Sequence, residues 1–308
     1  MSASNQEIVT EILGGVWAPS CTPITEEGLI DNARLVGHIH RLLSSGCRGV
    51  VLFGTTGEGT SFSVAERTAA LEAVAHSGIG ADQMMVGVGF PSIADTVSLC
   101  RNALTIGYSN LLVLPPFYYK TVETVGLFRS FAAVIDGIDD ESARIYLYHI
   151  PSVSQVPVSG ELIERLLNSY GKTVVGLKDS SGDIGHTRSL MRLFPDLAVF
   201  SGSEASLLPL LQDGAKGCIS ALANVNAPAI SEVYDLWSVG DSQAAADVQK
   251  SVNKFGRLLD NYPRIPAIKH LIAHTTGDRS WRRLLPPLVE LDDEQARLLI
   301  DEVDGHYQ

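Results

Sequence analysis

The run "VVGLK" at 174–178 ends on a lysine where the turn formers "DSSGD" (179–183) begin. Val174, Val175, Gly176 and Leu177 have the apolar continuity of a buried strand, which puts Lys178 at its end. An ammonium withdrawn from water loses its hydration, which favours the neutral amine. A neutral amine attacks carbonyl carbon and forms a Schiff base. Read alone, Lys178 could equally bury its stem and let its amine reach solvent. Groups at other strand ends favour the chemical reading. "GTTGEG" (54–59) sets Thr55 and Thr56 between Gly54 and Gly57. Glycines let backbone N–H groups approach an anion and the threonines add hydroxyl donors, a cradle for the carboxylate of a 2-oxo acid. The same six residues would also serve as a plain strand-to-helix turn. "LYHIPS" (147–152) puts Tyr148 on the same strand face as Tyr146, nearer the end. There a phenol could carry the proton that lets a carbinolamine lose water; a buried aromatic is the blander alternative.

Metal chemistry is not expected. His38 and His40 point to different faces of a helix, and His270 and His274 share a face but lack a third ligand. "DSSGD" reads as a loop and helix cap rather than a serine nucleophile, having no recognisable His and Asp partners. The only cofactor-like species expected is a covalent imine on the lysine.

These groups need a scaffold that gathers strand ends. Apolar runs recur at 15–24, 49–54, 84–89, 110–116, 144–151, 174–178, 197–202 and 217–222. They are continuous rather than alternating, the pattern of parallel strands covered on their outer face. Helix-like segments fill the intervals. "SVAERTAALEAVAHSG" (63–78) opens with Ser63 as N-cap and Glu66 three residues on, and ends at Gly78. Between 122 and 136, Val125, Phe128, Ala132 and Ile135 would form the apolar face. Eight β/α units predict an α/β fold, a (β/α)8 TIM barrel over residues 1–225 with a C-terminal helical appendage over 226–308, interrupted at 261–266 and 284–287. A doubly wound sheet is the competing topology, with too many strands and no glycine-rich phosphate loop.

Composition narrows the partners. A net charge of -12 argues against nucleic acid and anionic membranes. Cys21, Cys47, Cys100 and Cys218 are far apart and read as reduced thiols. No stretch approaches 18 apolar residues and the N-terminus has no signal-peptide pattern, so a cytoplasmic location is expected.

With "GTTGEG", "PPFYYK", "YHIPS", "GLKDSSGD" and "SGSE" in this order, nearly the whole chain resembles the dihydrodipicolinate synthase / N-acetylneuraminate lyase family of class I pyruvate-dependent aldolases. The resemblance implies a homotetramer, a dimer of dimers, and a Schiff base between Lys178 and pyruvate or a longer 2-oxo acid, with an aldehyde as the other reactant. It implies that Tyr148 shuttles protons, that Thr55 hydrogen-bonds it, and that Thr56 binds the pyruvate carboxylate. Tyr118 would reach a neighbouring subunit's site, and Gly202 and Ile219 would line the pyruvate pocket.

Two departures bear on substrate. The synthases carry an arginine two residues after the proline of "YHIPS", where this chain has Val153. The lyases follow "SG" with acidic residues, where this chain has Glu204 but then Ala205. The expected activity is therefore cleavage or formation of a 2-keto-3-deoxy sugar acid or 4-hydroxy-2-oxo acid, with Ser180, Glu204 and Ser220 as hydroxyl-binding candidates. Dihydrodipicolinate synthesis and a Schiff-base dehydratase are alternatives on the same chemistry. Outside the family, a phosphate-handling barrel isomerase or an inactive binding protein would also suit the fold.

Overall fold

The computed structural model describes residues 13–306. Eight strands fall on the eight apolar runs, with β6 reaching one residue further: β1 (Gly15–Pro19), β2 (Gly49–Leu52), β3 (Met84–Gly87), β4 (Asn110–Val113), β5 (Arg144–His149), β6 (Val174–Asp179), β7 (Ala198–Ser201) and β8 (Gly217–Ile219). Each pairs in parallel with the next, and β8 returns to β1 with Gly15 opposite Gly217, so the sheet closes into a barrel. That closure excludes the doubly wound alternative. The helices in chain order are α1 (Asn32–Ser44), α2 (Val64–His76), α3 (Ile93–Ile106), α4 (Thr124–Ile138), α5 (Pro151–Ser154), α6 (Gly160–Tyr170), α7 (Ile184–Leu193), α8 (Leu207–Gln212), α9 (Ala223–Ser238), α10 (Ser242–Leu259), α11 (Arg264–Thr276) and α12 (Asp293–His306).

The strands read as continuous apolar runs because both of their faces are buried. One parity fills the barrel: Trp17, Val51, Met85, Leu112, Tyr146, Tyr148, Phe200 and Ile219 form one cluster. The other parity, including Val16, Val50, Val86, Leu111, Leu147, Leu177 and Cys218, packs under the helices. Two glycines make room for the largest interior rings. A Cβ at Gly49 would lie 2.3 Å from the Trp17 ring, and one at Gly176 would lie 2.2 Å from the Tyr146 ring.

Helix α2 starts as its sequence dictates, with a full capping box between Ser63 and Glu66. In α4 the apolar face is displaced from the expected one. Leu127, Phe131, Val134, Ile135 and Ile138 are buried, whereas Val125 is exposed and Phe128 is only half-buried against Tyr170. The helix is apolar nearly all round, so periodicity alone selected the wrong stripe; contact with the barrel decides it. Residue 225 falls inside α9, the helix that follows β8, and three further helices complete the C-terminal region. All four cysteines are free and buried, and burial raises Cys21, Cys47 and Cys100 to about 12. Among the described residues no helix is long and apolar enough to cross a membrane.

Candidate active site

In a parallel barrel the carboxyl ends of all strands open on one face, where functional groups collect. Register then decides which side chains meet there. Lys178 pairs with Tyr148 on β5 and with Phe200 on β7, both of which belong to the barrel interior. Lys178 is 4% exposed. Its Nζ lies 4.4 Å from the centroid of the Tyr148 ring and makes no hydrogen bond or ion pair among the described residues. The Tyr148 hydroxyl shares a hydrogen bond with Thr55 Oγ1 at 3.3 Å. Amine, phenol and threonine thus form one connected set from β6, β5 and the loop after β2.

That loop is closely braced. Gly59 N–H donates to Gly54 O (3.1 Å), Glu58 N–H to Thr55 O (3.1 Å), and Thr22 Oγ1 to Gly57 O (2.7 Å). Gly57 is needed for close approach, since a Cβ there would lie 2.7 Å from Ser20 O. Thr56 is buried and its hydroxyl makes no hydrogen bond among the described residues.

The ends of β5, β6 and β7 are tied together by Ser180 N–H to His149 O (2.7 Å) and Gly202 N–H to Asp179 O (2.6 Å). A Cβ at Gly202 would lie 2.0 Å from Ser180 Oγ and 2.7 Å from its Cα. Gly202→Ala should therefore displace the Ser180 backbone and destabilise the fold by about 1–3 kcal/mol. A urea unfolding midpoint equal to that of the unmodified protein would contradict this contact. Ile219 closes the interior from β8.

The remaining candidates lie elsewhere. Glu204 and Ser220 are buried and engaged with each other, the Ser220 hydroxyl donating to Glu204 Oε2 at 2.5 Å. Glu204 also packs against α10: its main-chain oxygen accepts from Gln249 Nε2 at 3.0 Å. Val153, on α5, is 57% exposed. Tyr118 and Tyr119 are each 73% exposed and stack edge to face at 5.3 Å. Lys120 Nζ donates to Ser154 O at 3.1 Å, joining the loop after β4 to α5.

A group not singled out from sequence lies on the other side of the same two strands. Strand parity that turns Lys178 and Tyr148 inward turns their successors outward, so His149 and Asp179 pair beneath α7 and meet His186. Each of the three offers a ligand atom within 4.8 Å of the others. Hydrogen bonds occupy both Asp179 oxygens, His186 Nδ1 and His149 Nδ1. His149 Nδ1 accepts from Val158 N–H at 3.0 Å, which leaves its proton on Nε2 and neither nitrogen free to ligate. Burial raises the Asp179 carboxyl, but hydrogen bonds from Ser181 N–H (2.8 Å), His186 Nδ1 (3.0 Å) and Thr187 Oγ1 (2.8 Å) outweigh it and hold the group below its ordinary value. Burial keeps His149 neutral to lower pH than a free imidazole. Of the histidines weighed from sequence, His38 is sunk in the core and bonded to Asn224 at 2.9 Å, and burial lowers it to about 3; His270 falls to about 4, chiefly by burial.

A cavity of about 1020 Å³ opens at the opposite end of the barrel, beside Gly14, Arg48, Asp82, Asn110, Arg144 and Tyr234. Size would favour it as a site. None of Lys178, Tyr148, Thr55 and Thr56 lines it, so chemistry favours the other face.

Comparison with known proteins identifies the family. The Dihydrodipicolinate synthetase family matches residues 12–304. An uncharacterised DapA-like lyase of Chloroflexus aurantiacus is 36% identical over 92% of this chain and 94% of its own length. The crystal structure of dihydrodipicolinate synthase from Agrobacterium tumefaciens is 35% identical, with a TM-score of 0.86 over 96% of this chain and 99% of that one. A variant of the Sulfolobus solfataricus 2-keto-3-deoxygluconate aldolase shares the fold at 22% identity, with a TM-score of 0.86 over 95% of this chain and 96% of that one. The chain belongs to the dihydrodipicolinate synthetase family and is a carbon–carbon lyase of that family's class.

Proposed function

We propose that the chain is a Schiff-base aldolase that makes or breaks the bond at the methyl carbon of pyruvate, with Lys178 as nucleophile and no metal. The observation that carries this reading is the buried Lys178 amine, 4.4 Å from the Tyr148 ring centroid, with the Tyr148 hydroxyl bonded to Thr55 at 3.3 Å. The neutral amine adds to the C2 carbonyl of the 2-oxo acid and gives a carbinolamine. Tyr148 delivers a proton to the departing hydroxyl, water leaves, and the imine forms. The protonated imine then withdraws electrons from C3. In cleavage, the C3–C4 bond breaks as the C4 hydroxyl returns a proton to the Tyr148 phenolate left by dehydration, an aldehyde departs and the enamine remains. Protonation at C3 and hydrolysis release pyruvate, and condensation is the reverse. Thr56 and the loop N–H groups hold the carboxylate, with Gly54 and Gly57 giving the close approach, while Gly202 and Ile219 shape the pocket. The exposed Tyr118 fits a role at a neighbouring subunit of a homotetramer. The enzyme would act in the cytoplasm, where thiols stay reduced.

The choice between substrates is argued from Val153, which stands where the synthases carry an arginine. An arginine holding a carboxylate typically contributes about 1.5–3 kcal/mol through charge-assisted hydrogen bonds, and valine contributes none of it. Condensation of pyruvate with aspartate semialdehyde should therefore be weaker by roughly 10–100-fold in kcat/KM than in Val153→Arg. Pyruvate release from 2-keto-3-deoxy acids should be the better reaction of the unmodified protein, with Ser180 the hydroxyl group placed nearest the β6 end. Efficient dihydrodipicolinate synthesis without the substitution would transfer the assignment to the synthase and leave the Schiff base in place. Assaying a panel of 2-keto-3-deoxy acids beside aspartate semialdehyde makes the comparison.

A further inference from the structure

The loop that carries Thr55 and Thr56 is anchored by a group from the far end of the chain. Glu58, in that loop, pairs with Lys269 in α11, and neither side chain has any solvent exposure. Lys269 Nζ donates to Glu58 Oε1 and to Arg283 O at 2.7 Å, while Glu58 Oε2 accepts from Leu285 N–H at 3.2 Å. Lys269 lies in the buried stretch Pro266–Ala273. The carboxylate therefore binds the loop to two parts of the C-terminal region at once.

Burying two charges is a poor way to gain stability, because apolar residues of equal volume commonly do as well or better. The pair must be judged by what it fixes. Glu58 adopts a left-handed backbone, φ 54°, which few side chains other than glycine, asparagine and aspartate favour. The loop's main chain is held by Thr22 at Gly57 O and by Arg67 at Gly59 O, both contacts from within the barrel. Among the described residues, Glu58 supplies the one side-chain anchor from this loop to α11 and to the segment after it. It stands two residues from Thr56 and three from Thr55.

We infer that the Glu58–Lys269 pair is a positioning device that sets the carboxylate-binding threonines against Lys178, so that α11 belongs functionally to the 2-oxo acid site. This inference rests on the Schiff-base reading above. Placement of binding groups to within about 1 Å can change rates by roughly 100-fold, so a loosened loop should be visible in substrate handling.

The test is borohydride trapping of pyruvate on Lys178, followed by mass spectrometry across a range of pyruvate concentrations. Glu58→Gln keeps the shape and leaves Lys269 unpaired; Glu58→Gln/Lys269→Met removes both charges and relieves the unpaired one. Both should need about 10–100-fold more pyruvate for half-maximal trapping while reaching the same adduct at saturation. The double variant should do so with a urea midpoint close to that of the unmodified protein, and it carries the test if the single variant does not fold. A double variant that regains normal half-saturation would overturn the positioning role and leave a merely structural pair. An unmodified protein that traps no pyruvate would overturn the Schiff-base reading itself, and this inference with it.

Discussion

Lys178→Ala should abolish both turnover and covalent capture of substrate while leaving the barrel folded. With pyruvate and borohydride, the unmodified protein should gain the mass of a reduced pyruvyl group on Lys178, because reduction converts the imine to a stable secondary amine. The variant should gain nothing, and its rate should fall by on the order of 10⁵–10⁶, as when a covalent nucleophile is lost. Stability should move little. Lys178 makes no hydrogen bond or ion pair among the described residues, so its removal breaks no polar contact there and leaves only a small space at the barrel mouth. Capture on a different lysine, or none in the unmodified enzyme during turnover, would reject the assignment.

Tyr148→Phe comes second in expected size. The ring remains in place among Tyr146, Phe200 and Ile219, so packing survives and only the hydroxyl is lost. That hydroxyl makes one long hydrogen bond, 3.3 Å to Thr55, and contributes little to folding. Turnover should drop by about 10²–10⁴-fold, the usual worth of a positioned acid–base group. Pyruvate should still be captured at Lys178, but slowly, because dehydration of the carbinolamine lacks its proton donor. Rapid-quench measurement of adduct formation separates this from a binding defect. A variant with nearly normal kcat would reduce Tyr148 to a core aromatic.

Local sequence exposed the strands and the buried lysine of β6 because the physics there is local. Runs covered on both faces show no alternation, and a lysine at the end of such a run stands out against its surroundings. Parity along β5 and β6 could also have revealed the His149–Asp179 pairing, since whatever follows two inward residues on adjacent strands must meet outside. The α4 stripe was misjudged because a helix apolar on most sides gives periodicity little to work with. Glu204 and Ser220 looked accessible as strand-end residues, yet they face each other and α10, which approaches only after the chain has folded back. The Glu58–Lys269 pair joins positions 211 apart, and nothing in either neighbourhood announces the other.

The parts of the site stand on unequal mechanical footing. Lys178 and Tyr148 sit on adjacent central strands, hydrogen-bonded on both sides and enclosed by large rings. Val153 lies on an exposed segment, where a side chain can be exchanged without repacking the protomer's core. Mutational drift is therefore nearly free at the rim and heavily penalised at the base. On the Schiff-base reading proposed above, a lineage built on this barrel could exchange its aldehyde partner through a few surface replacements while the imine chemistry passed through each exchange unaltered.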